Sequence, residues 1–193
     1  MAIKVAINGF GRIGRCTLRA IYEQGLQNEF DVVAINAAGD LKTNSHLLKY
    51  DTTHGRFRTS VETEGENCII IDGKKIAFYS TKNPKDINWA DHGVDIVLEC
   101  TGAYTSKAKA QPLLEQGAKR VLISAPGGDD VDATIVYGVN EGLLKADMTV
   151  VSNASCTTNC LAPVAKILSD SVGIKQGMMT TIHAYSTDQV TVD

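Results

Sequence analysis

Gly9-Phe10-Gly11-Arg12-Ile13-Gly14 is a G-x-G-x-x-G string near the start of the sequence. It follows the short apolar run from Lys4 to Asn8 and begins a helical stretch from about Arg12 to Gln24. In this setting the first glycine permits a tight turn and the second leaves room for a pyrophosphate beside the backbone. The third lets the helix pack close to the sheet. Because N–H groups at a helix start attract phosphate, the string predicts a dinucleotide-binding βαβ unit.

Strand-like and helix-like segments alternate along the rest of the chain, which is typical of an α/β fold. We predict further strands at 31–36, 95–100, 120–124, 133–137, 149–152 and 178–184. Helices are predicted at 106–116 and from Cys156 or Thr157 to Ser171, and a polar segment at 37–49. Asp72-Gly73, between Ile69-Ile70-Ile71 and Ile76-Ala77-Phe78, favours a hairpin turn. We place a domain boundary near Ser152, which gives a Rossmann-type doubly wound domain at 1–152 and a second domain from 153 to 193.

The composition excludes several classes of function. Hydrophobic residues make up 44% of the 193 residues, which is enough for a real core. The formal net charge of −3 provides no basic excess for a nucleic-acid backbone. No apolar stretch approaches the roughly 18 residues that span a bilayer, and the first residues do not resemble a signal peptide. We therefore expect neither nucleic acid nor membrane as a partner.

The five cysteines are Cys16, Cys68, Cys100, Cys156 and Cys160. An odd, scattered set argues against a disulfide framework and favours a reducing compartment, so we expect a cytoplasmic protein. The one close pair has i, i+4 spacing without a second pair, and we predict no metal site.

Cofactor preference depends on the end of the second predicted strand. An NAD site usually has an acid there to bind the ribose 2′-hydroxyl, but Asn36 is followed by Ala37-Ala38-Gly39, and Asp40 comes late. Without that carboxylate a 2′-phosphate meets less repulsion. We therefore expect NAD or NADP, with NADP acceptance suggested by the missing acid at Ala37 and with Lys82 as a candidate cation near the adenosine ribose.

The most specific string is Ser152-Asn153-Ala154-Ser155-Cys156-Thr157-Thr158-Asn159-Cys160. A cysteine at a helix N-terminus lies in positive potential, which lowers its thiol pKa and favours the nucleophilic thiolate. Cys160 lies one turn further in, where the helix dipole has faded, and we expect it to be a small buried side chain. His183, on the predicted strand 178–184, can take up the thiol proton and later act as acid or base.

Several motifs together identify the chain as similar to the phosphorylating glyceraldehyde-3-phosphate dehydrogenases. They are distributed over the whole sequence: Asn8–Arg15, Lys49–Gly55, Ser124-Ala125-Pro126, Tyr137–Asn140, Ser152–Cys160 and Thr181–Tyr185. The resemblance implies a Rossmann-type domain followed by an α+β catalytic domain, of which the chain contains only the beginning. It also implies a homotetramer.

The resemblance implies a covalent mechanism. Cys156 would attack the aldehyde carbon of glyceraldehyde 3-phosphate, with His183 taking the proton. Hydride transfer to the nicotinamide would leave a thioester on Cys156, and inorganic phosphate would release an acyl phosphate. Ser155 and Thr157 resemble ligands of inorganic phosphate, and Ser186 and Asp188 resemble residues near the substrate phosphate.

The candidate cofactor contacts come from the glycine string, the end of the second strand and the resemblance. They are Asn8, Gly9, Phe10, Gly11, Arg12, Ile13, Gly14, Asn36, Lys82, Thr101, Gly102 and Ser124.

Two alternatives stay open on the sequence. Erythrose-4-phosphate dehydrogenases are close relatives with the same nucleophile, and residues 1–193 do not separate the two aldehydes. The chain is also shorter than family members, so residues 1–193 alone are expected to have little dehydrogenase activity and could act as a nucleotide-binding fragment. Ser186, where the family usually has Thr, keeps the hydroxyl.

Overall fold

The computed structural model describes residues 2–183. Its helices are α1 (Arg12–Glu23), α2 (Leu41–Lys49), α3 (Lys107–Glu115) and α4 (Cys156–Val172). Its strands are β1 (Ile3–Asn8), β2 (Phe30–Asn36), β3 (Tyr50–Asp51), β4 (Gly55–Arg56), β5 (Val61–Glu64), β6 (Cys68–Ile71), β7 (Lys74–Tyr79), β8 (Ile96–Glu99), β9 (Arg120–Ile123), β10 (Ala133–Thr134) and β11 (Val150–Ser152). Short 3₁₀ turns lie at Pro84–Asp86, Trp89–His92 and Glu141–Leu143.

A nine-stranded sheet forms the centre of the fold, in the order β10-β11-β9-β8-β1-β2-β7-β6-β5. The strands from β10 to β7 pair in parallel, and β5 and β6 add an antiparallel edge. The strand order reverses between β1 and β8, so the loops that follow these two strands diverge there. Ligands of doubly wound sheets bind in the crevice at such a switch point.

Alternating side chains of the central strands pack into two cores, one on each face of the sheet. Val5 and Ile7 of β1 belong to a core with Leu18 of α1 and Leu48 of α2. Ala6, between them in sequence, belongs to a second core built around α3 and the fully buried Trp89. Helices on both faces confirm the predicted doubly wound α/β class.

The predicted hairpin is present between β6 and β7, where Ile71 pairs with Lys74. Asp72 and Gly73 have φ angles of 53° and 76°, the positive values that a two-residue primed turn requires. The strands predicted at 31–36, 95–100, 120–124 and 149–152 are found within one or two residues of those bounds.

Three segments differ from the sequence expectations. The polar segment 37–49 contains α2, whose N-terminus is capped by the Asp40 carboxylate accepting from the Thr43 N–H at 2.8 Å. The strand predicted at 133–137 is confined to Ala133–Thr134. Residues 178–183 form no strand, and Met178 and Ile182 are 98% exposed. Their alternation suits a strand, but among residues 2–183 no strand pairs with this segment, and a segment without a pairing strand does not form one.

The boundary near Ser152 remains a prediction. The last strand of the sheet, β11, ends at this residue, and α4 beyond it contains no buried residue. Within residues 2–183, no helix combines the length and the hydrophobicity that crossing a membrane requires.

Asp132 connects α3 to β11 through its carboxylate. One oxygen accepts the backbone N–H groups of Thr149 and Val150 at 2.8 and 2.9 Å, and the other pairs with Lys107. These hydrogen bonds, first that of Lys107 and then those of the backbone, hold the pKa of Asp132 well below its usual range. A carboxyl with a depressed pKa contributes stability above its unfolded pKa of about 4, and this contribution is lost as the pH falls below that value.

Replacing Asp132 with Ala is expected to lower the free energy of unfolding by about 2 kcal/mol at neutral pH, because two backbone N–H groups lose their acceptor. Asp132→Asn keeps one acceptor and loses the ion pair, so it is the matched control and is expected to cost about 1 kcal/mol. Urea unfolding from neutral pH to pH 3 measures both variants. If the difference in the free energy of unfolding between wild type and Asp132→Asn does not shrink below about pH 4, this account is contradicted.

Candidate active site

The turn after β1 requires the glycines that the sequence placed there. Gly9 has a φ of 98°, and a Cβ on it would lie 2.6 Å from the backbone of Cys100 and Thr101. A Cβ on Gly14 would lie 2.2 Å from the Gly9 carbonyl oxygen. A Cβ on Gly11 would meet nothing within 4 Å. Gly9 and Gly14 are therefore needed by the turn itself, whereas the absent side chain of Gly11 leaves an open approach to the start of α1.

A first cavity of about 310 Å³ lies beside this turn, at the ends of β1, β2 and β8. Its walls contain five of the predicted cofactor residues, namely Asn8, Gly9, Asn36, Lys82 and Thr101. They also contain five residues that were not predicted as contacts: Ala37, Ala38, Thr81, Ala103 and Tyr104. Lys82 thus lines the same cavity as Ala37, as the expectation that NADP is accepted requires.

A second cavity of about 410 Å³ lies where α1 and α4 approach the sheet. It brings together Ile13, Ser124, Ser155 and Cys156, which are separated by up to 143 positions in the sequence. A cofactor that followed the start of α1 from the first cavity would place its far end beside Cys156.

Cys156 is the first residue of α4, and Ser155 is its N-cap. The Ser155 hydroxyl accepts the Thr158 N–H at 2.9 Å, which fixes the start of the helix. Ala154, just before it, has a φ of 58°, a left-handed conformation that is rare for a non-glycine residue. This bend turns the chain from β11 into α4.

The Cys156 Sγ lies 3.1 Å from the His183 Nε2. This hydrogen bond is the main cause of a lowered pKa at the Cys156 thiol, and hydrogen bonds from Thr157 add to it. His183 reaches this position from a segment without regular structure, not from the predicted strand. The pair therefore has the geometry of a thiolate nucleophile with a proton acceptor beside it.

Arg12 is held at the start of α1 by Asp51. Its guanidinium donates two hydrogen bonds to the Asp51 carboxylate, at 2.8 and 3.3 Å. The N–H groups of His54 and Thr53 donate to the same carboxylate at 2.9 Å. The hydrogen bond from His54, followed by those from Arg12 and Thr53, keeps the pKa of Asp51 well below its usual range. The segment around Asp51 is recognisable in the sequence only as a motif; the structure shows that Asp51 orients a predicted cofactor residue.

Glu99 is a buried acid that the sequence analysis missed. It ends β8 and is 1% exposed, with its carboxylate accepting hydrogen bonds from Asn8 and Thr101. Burial raises the pKa of Glu99, and these hydrogen bonds counteract the shift. The one available signal was an acid at the end of an otherwise apolar strand, Ile96-Val97-Leu98-Glu99.

Comparison with protein families gives two matches. The family model for the NAD binding domain of glyceraldehyde 3-phosphate dehydrogenase matches residues 3–107, and the model for the C-terminal domain of the same family matches residues 155–193. The chain belongs to the glyceraldehyde-3-phosphate dehydrogenase family. The resemblance inferred from the motifs is confirmed.

Curated relatives agree with this assignment. The plasmid-encoded glyceraldehyde-3-phosphate dehydrogenase of Cupriavidus necator is 56% identical over 193 residues, which are 100% of this chain and 57% of that protein. The Cereibacter sphaeroides enzyme is 56% identical over all of this chain and 56% of its own length. The Pseudomonas aeruginosa enzyme is 54% identical over 98% of this chain and 56% of its own length. The chain thus spans somewhat more than half the length of these family members.

Not every predicted site residue lines one of the two cavities in the described part of the chain. The Phe10 side chain is 2% exposed and packs in the core of α1 and α2, so a cofactor contact there is restricted to its backbone. Gly102 and Thr157 lie beside cavity residues in sequence, but neither lines the first or the second cavity. Ser186 and Asp188 lie outside the described residues.

The remaining cysteines near the site differ from Cys156. Cys100 lines the second cavity, and burial raises its pKa to about 11, which leaves it a protonated, unreactive thiol at neutral pH. Cys160 was expected to be buried, but it is exposed in the described part of the chain, because α4 has no element packed over it there.

Proposed function

We propose that this chain binds NAD in the first cavity and at the start of α1, and that it acts in the phosphorylating oxidation of glyceraldehyde 3-phosphate. The observation that supports this most is the hydrogen bond of 3.1 Å between His183 and Cys156, a residue that lines the second cavity. The open approach at Gly11 supports it further, since the cofactor pyrophosphate needs that space.

The chemistry follows from the two side chains. The Cys156 thiolate attacks the aldehyde carbon, and the start of α4 stabilises the developing oxyanion through its N–H groups. His183, which has taken up the thiol proton, gives it to that oxygen and removes it again as hydride leaves the carbon, so that a thioester remains on Cys156. NAD, when bound, supplies the hydride acceptor. Inorganic phosphate then attacks the thioester and releases 1,3-bisphosphoglycerate.

Phosphate binding is proposed for the residues that flank the nucleophile. The Ser155 hydroxyl already accepts the Thr158 N–H and lies 2.7 Å from the Thr158 hydroxyl, so it can donate its own hydrogen to an anion at the helix start. Thr157 stays a proposed phosphate ligand. Ser186 and Asp188 stay proposed contacts of the substrate phosphate.

The test is the formation of NADH and of an acyl adduct on Cys156 when the whole protein, and not residues 1–193 alone, is incubated with glyceraldehyde 3-phosphate and NAD. Mass spectrometry detects the adduct, and added inorganic phosphate is expected to remove it. Cys156→Ser is the matched control and is expected to form neither product. Equal NADH formation by the two proteins would refute the proposal.

Erythrose 4-phosphate in the same assay tests the first alternative, which the names of the curated relatives do not favour. The second alternative is a nucleotide-binding chain without turnover. It predicts that NAD slows thiol labelling of Cys156 while no hydride is transferred.

NADP is proposed as a second cofactor, because Ala37 stands where an acid would repel the 2′-phosphate and Lys82 lines the same cavity. Replacing Lys82 with Gln is expected to weaken NADP binding about tenfold, since a charged hydrogen bond to the phosphate is lost, and to leave NAD binding nearly unchanged. Calorimetric titration with each cofactor measures this. Lys85→Gln, an exposed lysine outside the cavity, is the matched control. A wild-type protein that prefers NAD strongly would contradict the idea.

A cytoplasmic location and a homotetrameric assembly of the whole protein are likewise proposals, supported by the family assignment.

A further inference from the structure

Side chains at the ends of three adjacent strands form a continuous chain of hydrogen bonds. Asn8 Nδ2, at the end of β1, donates to Glu99 Oε2 at 2.5 Å. Asn36 Nδ2, at the end of β2, donates to Asn8 Oδ1 at 2.8 Å and to the Thr81 carbonyl at 3.1 Å. Asn36 Oδ1 accepts the Thr81 N–H at 3.1 Å. At the other end, Glu99 Oε1 accepts the Thr101 N–H at 2.7 Å.

This chain of bonds has a fixed direction. An ionised carboxylate only accepts hydrogen bonds, so Asn8 must point its amide nitrogen at Glu99 and its oxygen at Asn36. Asn36 must then present its nitrogen to Asn8 and its oxygen to the Thr81 N–H. The backbone groups of Thr81 and Thr101 cannot exchange donor for acceptor, so both ends of the chain are anchored. All three side chains are buried, which makes a reversed amide costly.

We propose that Glu99 is a positioning residue that orients Asn8 and Asn36 and thereby fixes both walls of the first cavity. One wall is the Thr101 turn, which Glu99 holds directly. The other is the segment from Thr81 to Lys82, which it holds through the two amides. The link to cofactor binding rests on the proposed function; the orientation of the amides does not.

The inference predicts a particular defect for Glu99→Gln, a change that keeps size and shape. Glutamine has one acceptor oxygen, so it accepts either the Thr101 N–H or the Asn8 amide and turns its own NH₂ toward the other donor. If the Asn8 amide rotates so that its oxygen accepts from the glutamine NH₂, its nitrogen faces that of Asn36. If Asn36 rotates as well, its nitrogen faces the Thr81 N–H and its oxygen the Thr81 carbonyl. Each rotation therefore brings two like groups, donor against donor or acceptor against acceptor, together at the next position of the hydrogen-bond chain.

A second substitution restores the direction of donation along this chain of hydrogen bonds. In the double variant Glu99→Gln with Asn8→Asp, glutamine accepts the Thr101 N–H and donates its NH₂ to the new carboxylate. That carboxylate accepts the Asn36 amide with its other oxygen, as the native Asn8 does. Asn8→Asp alone instead places two carboxylates against each other in a buried site. Residue sizes stay nearly constant in all three variants.

The experiment measures two properties of the full chain: calorimetric affinity for NAD and amide hydrogen exchange at Thr81. Glu99→Gln is expected to weaken NAD binding about tenfold and to speed exchange at Thr81 about tenfold, although Glu99 does not touch Thr81. Asn8→Asp is expected to do the same or worse. The double variant is expected to recover most of both losses, a non-additive result that a packing role for Glu99 would not give.

Losses in the double variant that equal the product of the two single losses would overturn the inference, as would unchanged exchange at Thr81 in Glu99→Gln. A wild-type protein that does not bind NAD would refute the proposed cofactor, and exchange at Thr81 would still decide the orientation of the amides. If Glu99→Gln does not fold, folding of the double variant supports the inference and its failure to fold overturns it.

Discussion

Replacing His183 with Ala is expected to slow alkylation of Cys156 by iodoacetamide at neutral pH by about tenfold. The hydrogen bond between His183 and the Cys156 sulfur is the main cause of the lowered pKa of this thiol. Only the thiolate is alkylated, so a pKa that is no longer lowered by His183 leaves a much smaller fraction of the thiol in its reactive form at a pH below the pKa. The measurement is the rate of labelling from pH 5 to 10, followed by mass spectrometry of the peptide that contains Cys156.

The direction of the pH shift makes this test specific. The midpoint of the labelling profile is expected to move toward higher pH in His183→Ala, with the rate at high pH nearly unchanged, because the thiolate itself is not altered. Labelling of exposed Cys160, assigned from the fragment ions of the same peptide, is the internal control and is expected to stay as in wild type. An unchanged Cys156 midpoint would show that the helix start alone sets its pKa.

Replacing Gly14 with Ala is expected to lower the free energy of unfolding by about 3 kcal/mol or more, because the added methyl group would lie 2.2 Å from the Gly9 carbonyl oxygen. The backbone of the turn and α1 must then separate. That separation also opens the contact with Ile7, whose methyl carbon would be 3.0 Å away from the new group. Urea unfolding followed by circular dichroism measures the loss.

Gly11→Ala is the matched variant with the opposite expectation. Its Cβ meets nothing within 4 Å, and its φ of −72° suits alanine, so the free energy of unfolding should change by less than about 1 kcal/mol. The methyl group occupies the approach to the start of α1, so NAD affinity should fall by about tenfold or more. Equal effects of the two variants on stability would contradict the separate roles of these glycines.

Much of the site could be predicted from sequence because its parts are local. The glycine string, the strand before it and the helix after it are consecutive, and so are Ser155, Cys156 and the helix that they begin. The hairpin at Asp72-Gly73 was predictable for the same reason: its backbone requirement lies within two residues. In each case the physical constraint and the residues that satisfy it are neighbours in the chain.

The predictions that the structure contradicts also have a common physical cause, which is packing between segments distant in the sequence. The segment 37–49 looks like a polar loop, yet α2 forms because Asp40 caps it and because Leu41 and Leu48 pack in the core. The segment 178–183 has a strand-like pattern, but a strand also needs a partner, which no local pattern supplies. Cys160 looked like a small buried residue, and only the packing around α4 determines its exposure.

The sequence by itself determined the α/β class, the family and the two residues proposed for the chemistry, because each depends on side chains a few positions apart or on motifs read in order. Only the tertiary structure revealed the role of Glu99, the support that Asp51 gives Arg12, and the cavity that Lys82 shares with Ala37. These depend on groups 39 to 91 positions apart. The contacts of Glu99 and the cavity of Lys82 and Ala37 lie where parallel strands end side by side, and Asp51 reaches Arg12 from a separate two-stranded sheet. The orientation of a buried amide is set by its partners in space, and the chain order does not contain that information.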